Sequence, residues 1–264
     1  MSTILVQSGR RLIDLFAYLG GMASLLYDSL WWVTIGPFRR RGAIRRRESV
    51  FQAYRLGVAS LGINALVIFF VGMILTFQSA YVLETFGVVE YVADMMSIAM
   101  FREMGPLITA MVMTGFGGAA IAAEIGTMVV SEEVLALETG ALHPVRFLVV
   151  PRLLAAMYVM PIIYVVASYL GVLGGFTVAW AFLDIEPIRY FHRTTESLIA
   201  RDVIAGVLKA EAFGVLITLI ACHEGLRVTG GAEGVGRATT NSVVRSIVAI
   251  IVCDLIFTAI FYFL

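Results

Sequence analysis

Charge is scarce in this chain of 264 residues: 14% of positions are Asp, Glu, Lys or Arg, and Lys209 is the single lysine among them. Soluble domains carry roughly 25% charged residues, so the sequence falls outside that class. With 60% hydrophobic residues it is an integral membrane protein. Cysteine is limited to Cys222 and Cys253, both in apolar segments, where they read as packing residues and not as a disulfide or metal pair. His143, His192 and His223 sit on different segments, which argues against a histidine metal site. No Ser/His/Asp grouping or intramembrane zinc motif is present, so the chain itself is not expected to be an enzyme. The stretch GGAEGVGRATT, 230–240, reads as a glycine-rich loop. It lacks the Lys-Ser/Thr pair that reaches phosphate and magnesium, and no strand precedes it, so nucleotide binding is not expected there.

What is present is long apolar sequence punctuated by a few charges. Arg39, Arg40, Arg41, Arg45, Arg46 and Arg47 form one basic block beside apolar segments. Such a block marks the cytoplasmic side and anionic headgroups more readily than nucleic acid. Asp14 and Asp28 interrupt the first apolar stretch, which does not have the form of a signal peptide. A spanning helix needs ~20 residues at ~1.5 Å rise. Five segments meet that length: 56–83, 104–123, 153–183, about 203–222 and about 246–264. The third is long enough that it must tilt, bend near Pro161 or project from the bilayer.

With the arginine block inside, the spans run alternately out and in, and the C-terminus is expected outside. Inner connections then hold Arg146, Arg152, Arg227, Arg237 and Arg245, while the outer ones hold Glu84, Glu90, Asp94, Asp184, Glu186, Glu196 and Asp202. Arg189, Arg193 and Arg201 run against that bias. Residues 11–38 carry a Gly-Gly pair, two aspartates and Trp31-Trp32 next to the arginines, and fit a helix lying in the interface better than a sixth span. Between Val129 and Arg146 a short cytoplasmic helix is expected. Ser131 is its cap, Glu132 and Glu133 suit its first turn, and Gly140 with Pro144 stop it. Val130, Val134 and Leu137 make one apolar stripe, which fits either a surface resting on lipid or a helix inserted into a partner's groove.

Small residues four apart, Gly118 with Ala122, Ala119 with Ala123 and Gly171 with Gly175, allow close helix packing in lipid. The intramembrane charges carry more information. An ionisable side chain deep in hydrocarbon costs at least ~2.5–3.5 kcal/mol, so it faces protein or a wet cavity. Lys209 and Glu211 lie in the fourth span, Asp254 is placed ~12 Å in from the inner end of the fifth, and Arg102 and Glu103 stand at the outer mouth of the second. Arg102, Glu103, Lys209 and Asp254 can neutralise one another. They read either as salt bridges that fix packing or as the lining of a substrate path. A relay through Lys209, Glu211 and Asp254 would instead suit a proton-coupled carrier.

The segments FREMGPLITAMVMTGFGGAAIAAEIGTMVVSEEVLALETGALHPVRFLVVPR and GAEGVGRATTNSVVRSIVAIIVCDLIFTAIFY resemble the MlaE (YrbE) family of ABC-transporter permeases, over nearly all the chain beyond residue 50. The resemblance implies an all-α integral membrane protein: one permease domain, 1–264, with an N-terminal interfacial helix and basic segment (1–48) and a bundle of five transmembrane helices (49–264). It further implies a homodimer in the bacterial inner membrane that moves phospholipid between inner and outer membranes and maintains outer-membrane lipid asymmetry. The implied partners are an ABC ATPase (MlaF-like) that carries the ATP and magnesium, a small STAS-domain protein (MlaB-like) and a periplasmic MCE-domain hexamer (MlaD-like). Arg102, Glu103, Lys209 and Asp254 fall on the family's charged cluster near its lipid cavity. Leu75, Phe77, Tyr81 and Leu83 fall on the cavity wall. Glu132, Glu133, Val134, Leu137 and Glu138 fall on the coupling helix that docks on the ATPase.

Overall fold

A computed structural model describes residues 2–35 and 46–263, with the side chains of residues 2–12, 14 and 15 outside that description. The arginines Arg39, Arg40, Arg41 and Arg45 therefore lie outside the described residues. All described regular structure is helical: α1 (Ser2–Thr34), α2 (Arg46–Thr85), α3 (Val92–Ala99), α4 (Gly105–Met113), α5 (Ala119–Val130), α6 (Glu133–Thr139), α7 (Val150–Phe182), α8 (Pro187–Ser197), α9 (Ala200–Leu226) and α10 (Gly231–Phe263). Among the described residues five continuous runs are long and apolar enough to cross a membrane: Arg46–Thr85, Val89–Val130, Val145–Phe182, Ala200–Leu226 and Gly231–Phe263. They alternate in direction, so one end of the bundle carries α6 and the other α8.

The second run starts earlier than the charge pattern suggests. Val92 to Val130 is helical throughout, with π-helical turns at Met100–Met104 and Thr114–Gly118 linking α3, α4 and α5. Arg102 and Glu103 are thus inside a helix and not at its mouth. The first π turn has a local cause: Pro106 lacks the N–H that would bond the Arg102 carbonyl, and the helix widens just before it. The π turn Val145–Val149 likewise precedes Pro151. Pro161, by contrast, sits inside α7 without interrupting it.

The fifth run corrects the reading of 230–240 as a loop. Only Gly230 (φ +88°) and Gly231 (φ +70°) are turn residues; helix follows at once. Gly234 is required there because a Cβ would strike the Thr229 carbonyl, so its glycine reports a close approach and not a loop. Asp254 is consequently 23 residues from the α6 end and nine from Phe263, on the opposite half of the membrane from the one expected.

Helix α1 stays at one level. Tyr18 packs edge-on to His223 and beneath the Arg245 guanidinium, while Trp32 meets His143 and Arg146. All four partners belong to the α6 end, although ~21 Å of helix separates Tyr18 from Trp32. A spanning helix would leave that level, so α1 lies along the bundle's edge. Its buried face holds Leu25 and Ser29; Phe16, Leu19, Tyr27 and Leu30 form an exposed apolar stripe opposite.

The core consists of two clusters. One, toward the α6 end, centres on Ile125, Leu153, Met160 and Phe213. The other, toward the α8 end, centres on Ile68, Met100, Tyr164 and Tyr190. Close backbone contact holds α2 on α7: a Cβ on Gly72 would collide with the Gly171 carbonyl, and one on Gly174 with that of Phe69. In lipid, where apolar side chains gain nothing by leaving solvent, such contacts drive association. Gly118 packs on Ile217 of α9, so these glycines serve packing within one chain. The three outer arginines also find partners. Arg189 binds Glu90 (2.7 Å), Arg193 binds Asp94 (3.0 Å), and Arg201 donates to the Phe261 carbonyl (3.0 Å).

Replacing Gly72 by Leu forces α2 off α7 and is expected to cost ~3 kcal/mol or more, the upper end for overpacking. Thermal unfolding of the detergent-solubilised variant checks this, with Gly62→Leu, which meets open space, as the control.

Candidate functional site

Lys209 is fully buried on α9, nine residues from its first residue, Ala200, or ~14 Å along the helix. Its Nζ contacts Glu103 Oε2 at 2.5 Å and Asp254 Oδ1 at 2.9 Å, and donates to Thr258 Oγ1 at 2.8 Å. Thr258 Oγ1 in turn lies 3.1 and 3.2 Å from the two Glu103 carboxylate oxygens. Three helical elements meet at one ammonium: the π turn carries Glu103, α9 the lysine, and α10 both Asp254 and Thr258. Asp254 and Thr258 are i, i+4 on one face of α10, which is why both reach the same atom. The lysine side chain is 1% exposed, whereas Glu103 and Asp254 retain 27% and 17%. The site therefore shows carboxylate oxygen to one side and hides its cation.

Of the four charges read together from sequence, the structure joins three. Arg102 turns away, toward Asp202 (3.8 Å) and the Phe261 carbonyl (3.4 Å). Adjacent residues on a helix point about 100° apart, so Arg102 and Glu103 serve different neighbours. Asp202, read as part of an outer loop, is buried in the first turn of α9. Glu211 is two residues, roughly 200°, around α9 from Lys209 and makes no hydrogen bond or ion pair among the described residues. Thr258 escaped sequence reading, although its i+4 spacing from Asp254 was the available signal.

The expected cavity-wall residues divide between two faces. Phe77 and Tyr81 continue an exposed stripe with Phe70 and Ile74, and Phe77 packs on Phe182. Leu75 and Leu83 are half-buried against the α8-end core. Within one chain α2 and α10 are the least covered spans, with 22% and 11% of their most apolar windows buried, against 50% or more for the other three.

At the other end, α6 is a seven-residue helix with no buried residue. Its start differs from expectation. Glu132, in the left-handed conformation (φ +61°), makes the turn, while Ser131 closes α5 and its hydroxyl bonds the Glu133 carboxylate. Val130 belongs to α5, so it cannot share a stripe with Val134 and Leu137. Those two face the bundle, between recesses of about 580 and 320 Å³. What α6 offers outward is Leu135, 54% exposed, amid Glu132, Glu133 and Glu138.

Five spans with a charged locus inside them, and a small helix projecting from one end, define a multi-pass membrane protein. Residues 49–260 match the family profile described as Permease MlaE. The chain is 38% identical over 211 residues to a probable ABC transporter permease protein of Rickettsia prowazekii, covering 80% of this chain and 82% of that one. It is 31% identical over 257 residues to the intermembrane phospholipid transport system permease protein MlaE of Haemophilus influenzae, covering 96% and 95%. To the chloroplastic protein TRIGALACTOSYLDIACYLGLYCEROL 1 of Arabidopsis thaliana it is 32% identical over 222 residues, 84% of this chain and 63% of the other. The chain belongs to the MlaE permease family.

Removing one partner of a buried ion pair strands the other and costs about 3–5 kcal/mol. Lys209→Ala is therefore expected to lower the melting temperature sharply. Thr258→Val, which deletes one hydroxyl from the network, is expected to cost about 1 kcal/mol. The Lys209→Ala, Glu103→Gln, Asp254→Asn triple variant, with no charge left to strand, should recover much of the loss; melting curves of the three proteins check this.

Proposed function

We propose that this chain is the membrane-spanning, non-catalytic subunit of an ATP-driven transporter that moves phospholipid between two membranes. The observation that carries the reading is the pairing of a buried charged locus near the α8 end with an exposed docking helix at the α6 end, in a chain of the MlaE permease family. The α6 end faces the cytoplasm of a bacterial inner membrane, the N-terminus lies on that side, and the C-terminus is periplasmic. Support for this orientation comes from the larger number of arginines at the α6 end, Arg46, Arg47, Arg55, Arg146, Arg152, Arg227, Arg237 and Arg245, against Arg102, Arg189, Arg193 and Arg201 toward the other.

Two copies place their uncovered α2 and α10 faces together and enclose an apolar cavity, with Phe77 and Tyr81 in its wall. Acyl chains gain ~0.8 kcal/mol per buried methylene there, so release, not capture, requires work. An ABC ATPase supplies that work through α6, with ATP and magnesium on the ATPase. A STAS-domain protein and an MCE-domain hexamer complete the assembly, the latter receiving or delivering lipid at the periplasmic mouth. Glu103, Lys209, Thr258 and Asp254 tie α9 and α10 to the π turn, so that a movement begun at α6 is transmitted to the α8 end as a rigid displacement. A proton-coupled carrier has weaker support, because its relay needs Glu211 beside Lys209 and the two point apart.

Transfer of labelled phospholipid from proteoliposomes holding the complex is expected to require ATP and to survive a protonophore. Transfer that collapses with the proton gradient while ATP remains would overturn the reading. Leu135→Asp is expected to reduce recovery of the ATPase roughly tenfold or more, since an interface anchor contributes about 2 kcal/mol, while leaving the permease folded.

A further inference from the structure

A second charged locus lies at the α6 end, remote from Lys209. Between α1, α9 and α10 is an open recess of about 570 Å³ whose polar lining includes Tyr18, Glu224, Arg227, Arg237, Asn241 and Arg245. Three guanidinium groups thus face one carboxylate. That carboxylate is already engaged, since Arg245 Nη1 lies 2.6 Å from Glu224 Oε1 and stacks on the Tyr18 ring. Arg237 reaches only Glu233, at 3.9 Å, with both side chains mostly exposed, a pairing that solvent screens. Arg227 has no carboxylate partner among the described residues; its Nη1 is 3.2 Å from His223 Nε2. The Tyr18 hydroxyl is buried in the same recess, beside Arg245 and Glu224. The recess therefore holds two cations in surplus and a phenolic donor, on three separate elements.

Guanidinium groups match the tetrahedral oxygens of phosphate, singly or as bidentate forks, better than they match any neutral group. The surroundings say what carries that phosphate. The recess opens at the level of α1, whose other face is the exposed apolar stripe Phe16, Leu19, Tyr27 and Leu30. Along α10, Asn241 and Arg245 are followed on the same face by Val248 and Val252, both exposed. A headgroup in the recess would send its acyl chains up that apolar path. Basic recesses between helices on the cytoplasmic side are suited to anionic headgroups.

We propose that the recess between α1, α9 and α10 binds a phosphate group through Arg227, Arg237 and the Tyr18 hydroxyl, and that an anionic phospholipid of the inner leaflet supplies it. Such a resident lipid fastens α1 to the α9–α10 pair. It is distinct from any lipid carried near Lys209, which lies toward the opposite membrane surface. The proposal rests on the orientation given above only in assigning the leaflet.

The test uses the full chain in nanodiscs of mixed phosphatidylglycerol and phosphatidylethanolamine, with retained lipid counted by native mass spectrometry after gentle detergent extraction. The intact protein is expected to retain phosphatidylglycerol over phosphatidylethanolamine by roughly tenfold or more, the scale two arginines provide. Arg227→Gln with Arg237→Gln is expected to return that ratio to the bulk value, and Arg227→Lys with Arg237→Lys to keep most of it. An unchanged melting temperature in the glutamine variant shows that it has not simply unfolded. Displacement of phosphatidylglycerol by excess inorganic phosphate supports the phosphate site, whereas phosphate bound by a protein that retains no phosphatidylglycerol would overturn the lipid as its source. Equal lipid ratios in the intact and glutamine proteins, with no effect of phosphate, would overturn the proposal. So would glutamine variants that keep their lipid but lose the ATPase, which would make the recess a protein contact. No transport is read in this experiment, so it can fail while the transport function stands.

Discussion

An ammonium group in hydrocarbon must bring its counter-charges with it. Lys209 meets this demand with Glu103 from a π turn and Asp254 from α10, and Thr258 fills the remaining donor position. The constraint reaches far beyond the site. It requires a helix that widens at Pro106 so that Glu103 can swing inward, and it fixes the rotation of α9 and α10 about their own axes. With that rotation fixed, Gly206 meets neighbours that only a glycine admits, the Tyr164 hydroxyl and the Phe101 carbonyl, and Gly118 packs tightly on Ile217.

The two ends of the bundle solve different problems. Near the α8 end, charges neutralise each other closely: Glu90 and Asp94 with Arg189 and Arg193, Asp202 with Arg102. At the α6 end, Glu124 bridges Arg55 and Arg152, and Glu224 holds Arg245. Among the described residues Arg227 has no carboxylate partner there, and Arg237 has the exposed Glu233. Net charge alone could not reveal this asymmetry, because the formal total is zero. An excess of arginine at one end stabilises that end beside anionic headgroups and resists its transfer across the bilayer.

Sequence reading located the spans well and their ends less well. Between Val89 and Met104 the charges at Glu90, Asp94, Arg102 and Glu103 hid a helix that pairs each of them with a group on another element. At 230–240 the glycines looked like loop residues because a glycine required by a close approach has the same letter as one required by a turn. The short helix after Val129 was anticipated, but Ser131 ends one helix instead of starting the next. A cap residue carries no mark of which helix it serves.

Composition and pattern by themselves determined the membrane class, the number of spans, the family resemblance and the identity of the intramembrane charges, because hydrocarbon admits so few exceptions to apolar helix. Only the tertiary structure decided which charges meet. Arg102 and Glu103 are adjacent in sequence yet serve separate networks, and Glu211 stands apart from Lys209. Thr258 enters the cluster across a separation of 49 residues. Helix rotation and depth set those partnerships, and the charges and close contacts between helices, such as Gly206 on Tyr164, fix them together. Such contacts join residues distant in the chain, so no local pattern records them.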